Sequence, residues 1–270
     1  MSDFPPNCVA FVTGAASGIG LAVAQRLVAD GVKNIAIVDI THERLLPAVS
    51  SLAAIDPSAT VLQIGADCSQ EAEVEAAVSK TVETFGRLDV CFNAAGMSGD
   101  IKPMAEQSSS NLDNVLGLNL KGVWYCQRAQ IKQMLKQEMR DVTTGLKLQT
   151  RGSIINVGSL TSHLAINNIN PYIISKHGVL GLTRADAMDY AEKGIRINCI
   201  CPGWITTGMT QHMWKDGVMI FGDVAGRAPM KRWGLPEEVA YTVSFLASDR
   251  ASFVTGTAID IDGGLAAAAS

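Results

Sequence analysis

The stretch VAFVTGAASGIGLAVAQRL sets three glycines, Gly14, Gly18 and Gly20, between a short apolar β-rich run and an amphipathic helical pattern. Gly14 permits a tight turn, Gly18 lets backbone come close to a pyrophosphate, and Gly20 allows the helix to pack on the strand. The next β-rich run, NIAIVD, ends in Asp39. Glycines in that context, strand before and helix after, with an acid closing the following strand, predict a βαβ unit that binds a dinucleotide at the helix N-terminus.

The alternation continues along the chain. Strands are predicted at Val9–Thr13, Ile35–Asp39, Val61–Ile64, Val90–Asn93, Ser153–Val157, Arg196–Cys201 and Ala258–Ile261. Helical periodicity falls between them at Leu21–Ala29, Glu71–Phe85, Leu112–Leu135, Tyr172–Ala191 and Glu237–Leu246. Short apolar strands alternating with helices predict an α/β fold, a doubly wound parallel sheet with helices on both faces. No linker or internal repeat divides residues 1–270, so one domain is expected. Pro47 leaves two readings for the helix after Asp39: a start at Thr41 with a kink, or a start near Pro47 itself. The polar, aperiodic run 138–151 reads as a surface loop.

Composition narrows the function classes. Of 270 residues, 47% are hydrophobic and 18% charged, with a net charge of -4, which is globular and not basic. Nucleic acid and membrane surfaces are therefore unexpected partners. The N-terminal residues lack a signal-peptide pattern, and a cytoplasmic location is expected. Six scattered cysteines without a CxxC read as reduced thiols, and four histidines show no ligand spacing, so no metal is expected.

Asp39 would accept hydrogen bonds from the adenosine ribose hydroxyls and repel a 2′-phosphate, which makes NAD(H) the expected cofactor. Arg44 is the nearest base. A second feature is PYIISK, in which Tyr172 and Lys176 share a helix face. The pair is either an ordinary amphipathic surface or acid/base machinery, in which the ammonium and the nicotinamide charge lower the phenol's pKa.

Beyond single motifs, the chain resembles the short-chain dehydrogenase/reductase family over essentially its whole length. TGAASGIG (13–20) has that family's glycine spacing. NAAG (93–96) matches its NNAG motif, with Ala94 in place of the usual second Asn. Asn119, Ser159, Tyr172 and Lys176 match its catalytic tetrad, and PGWITTGM (202–209) matches the segment beside the nicotinamide.

The resemblance implies a single Rossmann-type domain, in a homotetramer or dimer, with a lid at about 205–225. It implies cofactor contacts at Gly14, Ser17, Gly18, Ile19, Gly20, Asp39, Asp67, Cys68, Asn93, Ala94, Gly96, Tyr172, Lys176, Pro202, Gly203, Ile205 and Thr207. Asp67 has a second reading, as the start of the next helix, and Asn93 another, as a sheet stabiliser. Thr206 competes with Thr207. In the implied chemistry, Tyr172 exchanges a proton with the substrate oxygen and Ser159 hydrogen-bonds that oxygen. Lys176 holds the ribose, and Asn119 anchors a water in a proton relay. Ser98, Thr161, His163, Met209, Met213 and Trp214 are candidate substrate residues. The Met- and Trp-bearing lid suits a small hydrophobic secondary alcohol or its ketone. Three other functions remain open: an NADPH-dependent ketone reductase, a non-redox reaction on the same fold, and a non-catalytic nucleotide sensor or scaffold.

Overall fold

A computed structural model describes residues 3–211 and 227–268, together with the backbone of 214–215 and 218–219. Seven parallel strands form its sheet: β1 (Val9–Thr13), β2 (Asn34–Asp39), β3 (Thr60–Gly65), β4 (Val90–Asn93), β5 (Gly152–Val157), β6 (Ile195–Pro202) and β7 (Ala258–Ile261). Their spatial order is β7-β6-β5-β4-β1-β2-β3. The predicted strands are all present, with ends differing by at most one residue, and the five inner ones are legible because buried parallel strands are continuous apolar runs.

Helices cover both faces. One layer is built from α1 (Gly18–Ala29), α2 (His42–Ile55) and α7 (Pro236–Ala247), whose Leu27, Leu52 and Val243 pack with Ile35 and Phe92 of the sheet. Opposite lie α3 (Glu71–Phe85), α5 (Val123–Met134) and α6 (Asn170–Tyr190), whose Val78, Met134 and Ala187 pack with Phe11 and Ile154. These are the two faces of a doubly wound sheet. No helix among the described residues is long and apolar enough to cross a membrane.

Three local features differ from the sequence reading or resolve it. α2 starts directly after Thr41 and continues through Pro47, so the earlier of the two starts is the one adopted. The expected single helix over 112–135 is divided into α4 (Ser109–Leu116), a π turn at Gly117–Gly122, and α5. Close packing accompanies the π turn: a Cβ at Gly122 would stand 2.8 Å from the Cys68 carbonyl oxygen. The 138–151 segment is not plain loop. Arg140–Asp141 pairs with Gln149–Thr150, and Arg140 inserts between two acids, Asp89 and Asp249.

The order of the sheet reverses at β1, which pairs with β2 on one side and β4 on the other. Crossovers from β1 and β4 leave in opposite directions there and open a crevice at the strands' C-terminal ends, the usual ligand position in such sheets.

Candidate active site

A cleft of about 390 Å³ occupies that crevice. At one end it is lined by the glycine turn. Gly14 and Gly18 have φ of +65° and +57°, and a side chain at Gly20 would overlap the Gly14 carbonyl. The turn therefore requires glycine, and it brings the start of α1 to the cleft. Ser17, the N-cap of α1, makes no side-chain cap hydrogen bond. The first-turn N–H groups are left without a side-chain acceptor, which suits a phosphate. Asp39 is held at the same end. Its carboxylate accepts from the backbone N–H of Ala16 at 3.1 Å and of Ile40 at 3.0 Å, and Arg44 Nε lies 3.2 Å away. The residues present thus fit a dinucleotide.

The other end holds the side chains that can do chemistry. β5 ends at Val157, and the chain turns so that Ser159 caps a short helical turn, Leu160–Ser162. The Ser159 hydroxyl accepts from the Thr161 N–H at 3.1 Å and lines the cleft together with the Tyr172 phenol. Tyr172 and Lys176 stand one turn apart on α6, with Lys176 Nζ 5.5 Å from the phenol ring centre. That ammonium donates to the Val157 carbonyl at 2.8 Å. Burial lowers its pKa to about 8, so it remains mainly charged at neutral pH.

The phenol behaves differently from the sequence expectation. Its pKa is raised: burial dominates, the Ser159 hydrogen bond opposes it, and Cys201 adds to the rise. Lys176 is near, but in the protein alone burial outweighs any help from it. The other charge invoked to lower the phenol, that of the nicotinamide, comes with a cofactor and not with the chain.

Most of the expected site residues converge on the cleft. Ser17, Ile19, Asp67, Cys68, Ala94, Gly96, Pro202, Gly203, Ile205 and Thr207 all line it beside the glycines, Asp39, Ser159, Tyr172 and Lys176. Asp67 also accepts from the Ser69 N–H at 2.9 Å, so it shapes the turn ahead of α3 while facing the cleft. Ser98, Thr161 and Met209 line the cleft as well. Met213 lies outside the described residues, and so does the side chain of Trp214; most of the expected lid lies there too.

Three expected residues are placed elsewhere. Asn93 is buried in a chain of amides: it exchanges hydrogen bonds with Gln130 and donates to Asn156 at 2.9 Å. It stabilises the sheet, the second of its two readings. Asn119 is fully buried on the π turn. Its side-chain oxygen accepts from the Met97 N–H, and its amide donates to the Met97 carbonyl, both at 2.8 Å. A further bond runs to Ser175 Oγ at 3.3 Å, so this side chain positions the Met97 loop and α6. His163 turns away from the cleft toward Asp260, with Nε2 3.3 Å from Oδ1.

Sequence reasoning missed Ile101, Ile166, Ile169 and Trp204, which also line the cleft. The apolar residues in HLAINNINP, just ahead of Tyr172, were the available signal for two of them. The Thr161 hydroxyl is buried and has no hydrogen-bond partner, which suits an oxygen supplied by a ligand.

A reversed parallel sheet carrying a dinucleotide-type cleft and a Ser–Tyr–Lys cluster defines an NAD(P)-dependent oxidoreductase. The chain matches, over residues 14–266, the family model described as Enoyl-(Acyl carrier protein) reductase. It is 38% identical to levodione reductase of Leifsonia aquatica, over 96% of this chain and 94% of that one. It is 36% identical to a cyclohexanol dehydrogenase of Acinetobacter sp. (strain SE19), over 97% and 96% of the two chains. The crystal structure of levodione reductase superposes with a TM-score of 0.89 at 37% identity, covering 97% of this chain and 98% of that one. The protein belongs to the short-chain dehydrogenase/reductase family.

Proposed function

We propose that the protein interconverts a small alicyclic secondary alcohol and its ketone, using NAD(H), with Tyr172 as the acid/base. One observation carries this reading: Ser159, Tyr172 and a buried Lys176 sit together in the same cleft that Asp39 closes at its far end. Bound nicotinamide supplies the hydride acceptor or donor. Tyr172 takes the hydroxyl proton in oxidation and returns it to the carbonyl oxygen in reduction. Ser159 hydrogen-bonds that same oxygen and sets its orientation. Lys176, with one N–H donated to the Val157 carbonyl, has two left for ribose hydroxyls, and the first turn of α1 holds the phosphates.

Two features support the substrate class. Ile101, Ile166, Ile169 and Met209 give the cleft an apolar wall, and one relative acts as a cyclohexanol dehydrogenase. The Thr161 hydroxyl adds one polar handle for a second oxygen on the ring. The preference for NAD(H) rests on the Asp39 carboxylate, which opposes a 2′-phosphate where Arg44 only partly offsets it. By the family resemblance, the chain is proposed to work as a homotetramer or dimer.

Nicotinamide reduction with cyclohexanol-type alcohols tests the reading, with NAD+ and NADP+ offered separately. Activity with NAD+ is expected, and Tyr172→Phe should lower kcat by roughly a hundredfold or more. The raised phenol pKa requires oxidation to accelerate with rising pH, while reduction, which uses the protonated phenol, does not. Equal turnover by Tyr172→Phe would reject Tyr172 as the acid/base. A preference for NADP+ would reject the role given to Asp39.

A further inference from the structure

His163, Cys201 and Asp260 are far apart in sequence, on the turn after Ser159, on β6 and on the edge strand β7. The parallel register sets Asp260 directly beside Cys201, and His163 closes over the pair. One imidazole nitrogen, the thiol sulfur and one carboxylate oxygen all lie within 4.8 Å of one another. Cys201 is buried, whereas the side chains of His163 and Asp260 are 30% and 39% exposed. The cluster therefore opens to water on one side. None of the three lines the cofactor cleft.

We propose that these three side chains form a site for a borderline-soft divalent cation of the zinc class, and that its occupancy restrains the Ser159 turn and slows turnover. A mixed set of sulfur, nitrogen and oxygen donors is what such ions take, whereas magnesium and calcium require oxygen. Metal–ligand lengths of roughly 2.0–2.3 Å set tetrahedral ligands about 3.5 Å apart. A small contraction of the present cluster reaches that spacing. Three protein ligands leave the fourth position for water, on the exposed side.

The link to the chemistry is short in both directions along the chain. His163 ends the turn that Ser159 caps, and its N–H donates to the Leu160 carbonyl at 3.2 Å. Pulling the imidazole onto a metal fixes that turn against β6 and β7. Cys201 directly precedes Pro202 and Gly203, which line the cleft.

Cobalt(II), titrated onto the reduced full-length protein, is the probe, because tetrahedral thiolate–cobalt gives a near-ultraviolet charge-transfer band. One equivalent per chain is expected. The band should vanish in Cys201→Ser and bind at least roughly tenfold more weakly in His163→Gln and Asp260→Asn. Those last two changes are at solvent-facing side chains, so loss of fold does not account for their effect. Zinc should displace the cobalt and slow turnover several-fold in the unaltered protein, and Asp260→Asn should resist it at the same concentration. No thiolate band at millimolar cobalt would overturn the site, as would a band that His163→Gln and Asp260→Asn leave untouched. Stoichiometric binding with turnover unchanged would overturn the coupling to Ser159.

Discussion

Tyr172 and Lys176 share a helix face because they are one turn apart, and that much is visible in the letters of the sequence. What the letters do not contain is depth. The same enclosure that puts the phenol against Ser159 raises its pKa, so the proton stays on at neutral pH. Thr161 illustrates depth in a simpler way. Its hydroxyl is buried without a partner, an arrangement that costs about 1–3 kcal/mol until a ligand oxygen arrives. Thr161→Val keeps the shape and removes the hydroxyl. Its kcat/KM for an oxygenated ring substrate should drop about tenfold, while its urea midpoint holds or rises. An unchanged kcat/KM would show that no substrate oxygen meets Thr161. His163 lies outside the cleft for a related reason: the direction of its side chain after the turn follows Asp260 and Cys201, which no local spacing connects to it.

The C-terminal ends of β1 and β4 fall as predicted because burial stops there, at Thr13 and Asn93, whereas the edge strand β7 carries its predicted ends with none of its residues fully buried. The π turn under Asn119 left no such mark, since the extra residue in its winding is set by contact with Cys68 and Met97. The 138–151 segment was misjudged because its anchor is a charge network and not an apolar pattern. Arg140 bonds Asp249 through Nη1 at 2.8 Å and Nη2 at 3.0 Å, and its Nε reaches fully buried Asp89 at 3.4 Å. Removing the arginine strands Asp249 in the protein interior with only the Thr143 N–H as donor, while Asp89 keeps its pair with Arg87. Arg140→Ala should lose about 3 kcal/mol of unfolding free energy in urea at neutral pH. Burial pushes Asp249 up, but the hydrogen bonds from Arg140 and the Thr143 N–H outweigh it and hold the carboxyl below its ordinary value of 3.8. That contribution is present above 3.8 and is lost as the pH falls through the lowered value. The gap between the two proteins should therefore narrow on acidification. A gap that widens toward low pH would contradict this account of the pair.

At the scale of the whole molecule, the order of motifs along the chain carried the fold and most of the cleft, because each strand end delivers its residues to one edge of the sheet. The cofactor preference belongs to this scale too, since it compares two ligands that differ at a single phosphate far from the reacting carbon. NAD+ at a hundred times its Kd should add about 2.7 kcal/mol to stability and raise the melting temperature by several degrees. NADP+ at the same concentration should raise it less, and a larger shift with NADP+ would contradict the role given to Asp39. The reversal of strand order at β1 has one more consequence, in time rather than space. As the chain is synthesised, β2 finds β1 already made, β3 finds β2, and β4 returns to the open side of β1. β5, β6 and β7 then each join the strand before them. No strand has to wait for a partner still to be translated, although the outer edge of β3 stays open throughout. The end of the cleft that holds Gly14, Asp39 and Asp67 comes into being at one moment in that sequence, when β4 docks and the Gly14 turn meets Ala94, and the reacting end follows with β5 and β6.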